Sequence, residues 1–184
     1  MITARAGSAV CATLVAVGLA AGGVAPPAAA LPPGFPDLAA FTAAPAKDYL
    51  TDNPKWPGRY LEFSTPYNIQ CSFGAGGFQQ PGGCVGDMPG MDKAPYFDDV
   101  DRSGGCSHGL VSYSDDPAGM QLSRVPQSCD AHPEFNAGRS LGAGQKVSYA
   151  GVTCAVGADR LVACLDTAAG EHGFVLRPAG STAF

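Results

Sequence analysis

Apolar residues in this chain come in short runs broken by glycine, proline and polar residues, the pattern of strands and turns. Arg59-Tyr60-Leu61-Glu62-Phe63 and Asn68-Ile69-Gln70-Cys71-Ser72-Phe73 are strand-like, with Ser64-Thr65-Pro66-Tyr67 as the turn between them. A glycine-rich connection, Gly74 to Gly83, then leads into Cys84. In the last third, Lys146 to Tyr149, Val152 to Val156, Leu161 to Cys164 and Phe174 to Leu176 read as four short strands, the second and third joined by a turn at Gly157-Ala158-Asp159-Arg160. The stretch from Gly86 to Gly144 is less regular and offers strands only at Leu110 to Tyr113 and Met120 to Val125. Its Gly- and Asp-rich loops are where a binding loop is expected. The chain is therefore expected to be all-β, a meander or small sandwich or barrel-like body.

Helix is expected only near the start of that body. Leu31 to Pro45 is rich in Ala and Pro, so an extended or partly ordered arm over residues 31–55 is the default before a single β-rich domain at 56–184. Within it, Asp37 to Ala44 and Ala46 to Leu50 each allow a turn or two of helix, with Asp37 as N-cap and Pro45 at the first helical position.

The longest apolar run lies before the arm and has a different meaning. Arg5 precedes an uncharged run from Ala9 to about Ala21, then Gly22-Gly23, Pro26-Pro27 and Ala28-Ala29-Ala30. This is the charged, apolar and small-residue order of a secretory signal peptide, residues 1–30, cut after Ala30. An uncleaved anchor helix is the alternative, and the Gly and Pro pairs break it where it would continue. No later segment approaches membrane-spanning length, so a soluble mature protein outside the cytoplasmic membrane is expected.

Composition narrows the partners. The 184 residues are 46% hydrophobic and 15% charged, too apolar for a disordered chain, and 25 Gly with 16 Pro exceed what long helices tolerate. A net charge of -5 gives no basic surface for nucleic acid or anionic membrane.

Of the seven cysteines, Cys11 falls in the leader, which leaves Cys71, Cys84, Cys106, Cys129, Cys154 and Cys164. In an exported chain these argue for three disulfides, whose connectivity sequence alone leaves open. Sequential pairing is preferred because Cys71 with Cys84, and Cys154 with Cys164, each bracket a plausible hairpin. Cys154 and Cys164 are also nearly equidistant from the turn at Gly157 to Arg160 and can face each other.

Three stretches together resemble a known family: Phe63-Ser64-Thr65-Pro66-Tyr67-Asn68-Ile69-Gln70-Cys71; Gly138-Arg139-Ser140 followed by Gly144 and Cys154; and Leu161-Val162-Ala163-Cys164 followed by Gly170-Glu171-His172-Gly173-Phe174-Val175-Leu176. The chain resembles small exported actinobacterial proteins with a six-cysteine domain of unknown function. The resemblance covers about half of the mature chain, and this sequence departs from it in its long acidic middle and in Pro178. It implies export, sequential disulfides and a small β-rich domain, and it carries over no catalytic residue.

Five features carry candidate chemistry. Gly138-Arg139-Ser140-Leu141-Gly142 matches a nucleophile elbow, with Asp159 or Asp166 and then His172 in hydrolase order. The flanks lack the strand and helix that an elbow needs, so a loop between strands is expected at Ser140. Cys106 and His108 with Cys129 and His132 offer zinc's ligand types, against a plain disulfide with two nearby histidines. Asp98, Asp99 and Asp101, with Asp92 near, suit calcium in chemistry but not in spacing, so a solvated loop is expected. His172 beside Glu171 reads as a histidine held in a turn at a strand start, and Trp56, Tyr60, Phe63 and Tyr67 as core rather than an aromatic surface. The expectation is a non-enzymatic binding or interaction module of the exterior or cell envelope, with no catalytic residue, metal or cofactor and an unknown envelope partner. The alternatives are a small secreted serine hydrolase using Ser140 and His172, and a calcium-binding protein.

Overall fold

The computed structural model describes residues 31–52, 58–74, 82–97, 105–115, 118–168 and 170–184. Residues 1–30, expected to be a leader and including Cys11, lie outside these residues, as do Trp56 and the Asp98, Asp99 and Asp101 cluster. Thirteen strands are described: β1 (Thr42–Ala43), β2 (Leu50–Asp52), β3 (Arg59–Ser64), β4 (Ile69–Gly74), β5 (Gly83–Gly86), β6 (Gly105–Asp115), β7 (Ala118–Ser128), β8 (Arg139–Ser140), β9 (Gln145–Tyr149), β10 (Val152–Val156), β11 (Val162–Asp166), β12 (His172–Leu176) and β13 (Thr182–Ala183). The fold is all-β, as expected. One sheet runs β1-β9-β10-β11-β12-β13, and the other runs β2-β3-β4-β5-β6-β7 with β8 on β3.

Strand alternation builds one core between the sheets. From the second sheet come Leu61, Phe63, Ile69, Cys71, Phe73, Cys84, Val111 and Met120, and from the first Val147, Val152, Cys154, Val156, Val162, Cys164, Phe174 and Leu176. Cys71 stands opposite Cys84 in the β4/β5 register, and Cys154 opposite Cys164 in β10/β11. Both pairs are bonded, with Cα atoms 4.1 Å apart in each. The third disulfide, Cys106 to Cys129, closes the open end of the β6/β7 hairpin, whose last paired residues are Gly105 and Ser128. All three follow the sequential pairing. The chain-entropy relation gives each of these short closed loops about 3 kcal/mol of stabilisation.

The sheets are stitched at both edges. At one, the Phe184 carbonyl accepts from Gly173 N at 2.9 Å and from Met120 N at 3.4 Å, bridging the β12 and β7 regions. At the other, β1 pairs in parallel with β9 of the first sheet, and the next strand, β2, pairs with β3 of the second.

Three sequence expectations change. Residues 31–52 are docked, not a loose arm. The carbonyls of Gly34 and Leu38 accept from Arg177 and Lys146, Phe35 packs edge-on against Phe184 at 5.9 Å, and Tyr49 is core. The two helices expected there are single 3-10 turns, Leu38–Ala40 and Ala46–Tyr49; Asp37 caps the first through its side chain, and Pro45 precedes the second instead of opening it. The strands at Leu110 and Met120 are each eleven residues long, because β6 and β7 pair along their whole length despite Gly109, Gly119 and Pro126.

Candidate functional site

A polar groove opens at one end of the sandwich, walled by the loops at 87–97 and 129–137. It has two lobes that share Asp87. The first, about 470 Å³, is lined by Thr65, Asn68, Asp87, His132, Glu134 and Phe135 among others. The second, about 340 Å³, is lined by Asp92, His108, Arg124 and Arg160 with Met88 and Met91. The two methionines are 8% and 6% exposed, so they also close that end of the core.

Asn68 is the hub of the walls. It sits in the β3/β4 turn with φ 57°, a left-handed conformation that asparagine tolerates better than most residues. Its Nδ2 donates to Asp87 Oδ2 at 2.9 Å and to the Pro133 carbonyl at 3.0 Å, while its Oδ1 accepts from Phe135 N at 2.8 Å. One side chain therefore ties both loops to the sheet. Gln70 adds a tie, accepting from Ala137 N at 3.2 Å.

The 87–97 loop is fixed from its other side. Ser181 Oγ donates to Pro89 O at 2.6 Å and Ser181 N to Gly90 O at 3.2 Å. Arg124 donates from Nε to Ala94 O at 2.8 Å and lies over the Tyr96 ring at 4.3 Å. Arg160 donates from its guanidinium to the Asp87 carbonyl. Asp159 and Arg160 both have positive φ, 53° and 60°, in the β10/β11 turn. Such a turn favours Gly, Asn or Asp, so Arg160 bears a backbone cost of about 1 kcal/mol. The bond to Asp87 offsets part of that cost and brings the guanidinium to the groove.

Between the lobes, His108 Nδ1 and Gln127 Oε1 are 2.9 Å apart, and the His108 ring packs against Phe135 at 5.2 Å. The lining presents carboxylates, amides, imidazoles and guanidinia on a rim tied at many points, a composition suited to hydrogen-bonded recognition of a polar ligand.

The residues singled out from sequence fall elsewhere or change role. Ser140 is exposed and, instead of lying in a loop, forms with Arg139 a two-residue strand parallel to Phe63-Ser64 of β3. Leu141 N donates to Ser64 O at 2.8 Å, so backbone pairing holds this segment in the sheet. His172 opens β12 across from Asp166, with its amide donating to Gly170 O at 3.1 Å and its ring edge-on to Tyr113 at 5.9 Å. Tyr113 lies on β6, four strand steps from β8, so Ser140 and His172 are not brought together. The disulfide takes both thiols of the zinc set, and its histidines line different lobes. No group of three or more metal-binding side chains occurs among the described residues. Phe63 is core and Tyr60 is buried, while Tyr67 donates its hydroxyl to Gly157 O at 2.6 Å.

Sequence reasoning missed Asn68, Asp87, Arg124, Arg160 and Phe135. Asn68 carried one usable signal, an asparagine directly after Pro66-Tyr67 in a turn. The other four come from β7 and from loops far apart in the chain.

Fold and groove together define a disulfide-stapled, two-sheet β-protein with a polar groove at one end. No protein-family model, curated protein or solved structure matches the chain. Among the described residues no helix is long and apolar enough to cross a membrane.

Proposed function

We propose that this is an exported, non-enzymatic binding module that takes a polar envelope or extracellular ligand in the two-lobed groove. The observation that carries the reading is Asn68, whose three side-chain hydrogen bonds fix both walls before any ligand arrives. A preorganised polar rim lowers the ordering cost of binding. Three disulfides suit an oxidising compartment, and the Arg5 to Ala30 pattern suits export. Membership of the exported six-cysteine family belongs to the same proposal.

The competing reading is a serine hydrolase using Ser140 and His172, and their separation in the sheets argues against it. Treating the purified protein with a fluorophosphonate probe is expected to leave Ser140 unlabelled. Labelling at Ser140, with turnover of an ester lost in both Ser140→Ala and His172→Ala, would sink the binding-module reading.

A further inference from the structure

The three disulfides differ in their access to solvent. Cys71, Cys84, Cys154 and Cys164 are 0%, 2%, 0% and 0% exposed, whereas Cys129 is exposed and Cys106 half-buried. Thiol–disulfide exchange requires an attacking thiolate to reach a sulfur, so access sorts these bonds by rate. The accessible bond is also the one joined to the groove. Cys129 opens the loop whose residues Ala131 to Asn136 line the first lobe, and the Gln127 side chain that meets His108 lies two residues before it.

We propose that Cys106–Cys129 is a site of selective exchange with an external dithiol, and that opening it loosens the 129–132 part of the groove wall. One thiolate of the dithiol attacks Cys129 Sγ, forming a mixed disulfide and releasing Cys106 as a thiolate, which takes up a proton. The second thiol then attacks its own partner sulfur, releasing Cys129 as a thiol and leaving the reagent as a disulfide. Two electrons pass from reagent to protein. The far half of the wall stays tied, because Pro133, Phe135 and Ala137 are held by Asn68 and Gln70. Near the cysteine the wall is shaped by local turn bonds, Ala131 N to Ser128 O at 3.0 Å and Asp130 N to Ser128 Oγ at 3.4 Å.

The consequence for binding rests on the groove reading, but the test needs no ligand, so the two can fail separately. The oxidised protein is treated with dithiothreitol without denaturant, quenched with an alkylating agent over time and mapped by mass spectrometry, with amide exchange measured on the same samples. The expected first product carries two alkyl groups, on Cys106 and Cys129, formed at least about tenfold faster than any product of the other pairs. Exchange should rise at residues 130–132 and not at 135–137. Cys106→Ser combined with Cys129→Ser should reproduce that exchange pattern without reductant, and the wild-type time course stands alone if this variant does not fold. Equal reduction of all three bonds overturns the selectivity, and selective reduction with unchanged exchange at 130–132 overturns the link to the wall.

Discussion

Replacing Phe63 by alanine will lower the unfolding free energy by about 3 to 5 kcal/mol, the range for emptying a large buried aromatic site. Phe63 is fully buried, stands opposite Cys71 in the β3/β4 register and has Arg139 of β8 as its parallel partner on the other side. Neighbours pinned on both flanks cannot collapse into the vacated space. The disulfide at Cys71 holds the adjacent strand in place, which makes relaxation still smaller. Denaturant titration should show a lower midpoint with an unchanged slope. A loss below about 1 kcal/mol would mean that Phe63 is not the packed centre of the second sheet.

The second large effect is expected at Asn68. Asn68→Ala removes three hydrogen bonds, one to the Asp87 carboxylate, and puts a side chain with no local bonding into a left-handed backbone. At about 1 kcal/mol for each bond, and about 1 for the backbone, the total is about 4 kcal/mol. Two substitutions separate the contributions. Asn68→Gly keeps the backbone conformation and should recover about 1 kcal/mol relative to alanine. Asn68→Asp keeps an acceptor for Phe135 N but loses both donated bonds and places a second carboxylate against Asp87. Asn68→Ala and Asn68→Gly should both speed amide exchange at Phe135, which loses its acceptor, whereas a merely conformational role would leave Asn68→Gly like wild type. That last result would remove Asn68 as the hub.

The regular part of the fold was legible because its signals are local. Cys154 and Cys164 each lie five residues from Asp159 in the turn, so one hairpin places them face to face, and the observed register, with Val156 opposite Val162, does so. The eleven-residue strands were not legible, because Gly109, Gly119 and Pro126 are each read locally as breaks. Gly109 is instead required by packing, since a Cβ there would come within 2.6 Å of the Met88 side chain. Pro126 lacks a donor, yet it pairs with Ser107 near the open end of the hairpin. The docking of residues 31–52 depends on carbonyls meeting Lys146 and Arg177, more than a hundred residues away, and no local pattern encodes that.

The groove follows the same division. Its walls fall within the irregular 86–144 stretch where a binding loop was expected, yet Asn68, Arg160 and Asp87 meet there only through tertiary structure. The motif that looked most like chemistry, Gly138 to Gly142, serves to pair β8 with β3.

The most direct test of the groove is backbone resonance mapping of the isotope-labelled protein during titration with soluble cell-wall glycopeptide fragments. The account predicts saturable shifts gathered at Asn68, His108, His132, Phe135 and Arg160, and their loss in Asn68→Ala. Shifts centred on Ser140 or His172, or no saturable shift with any fragment, would contradict it.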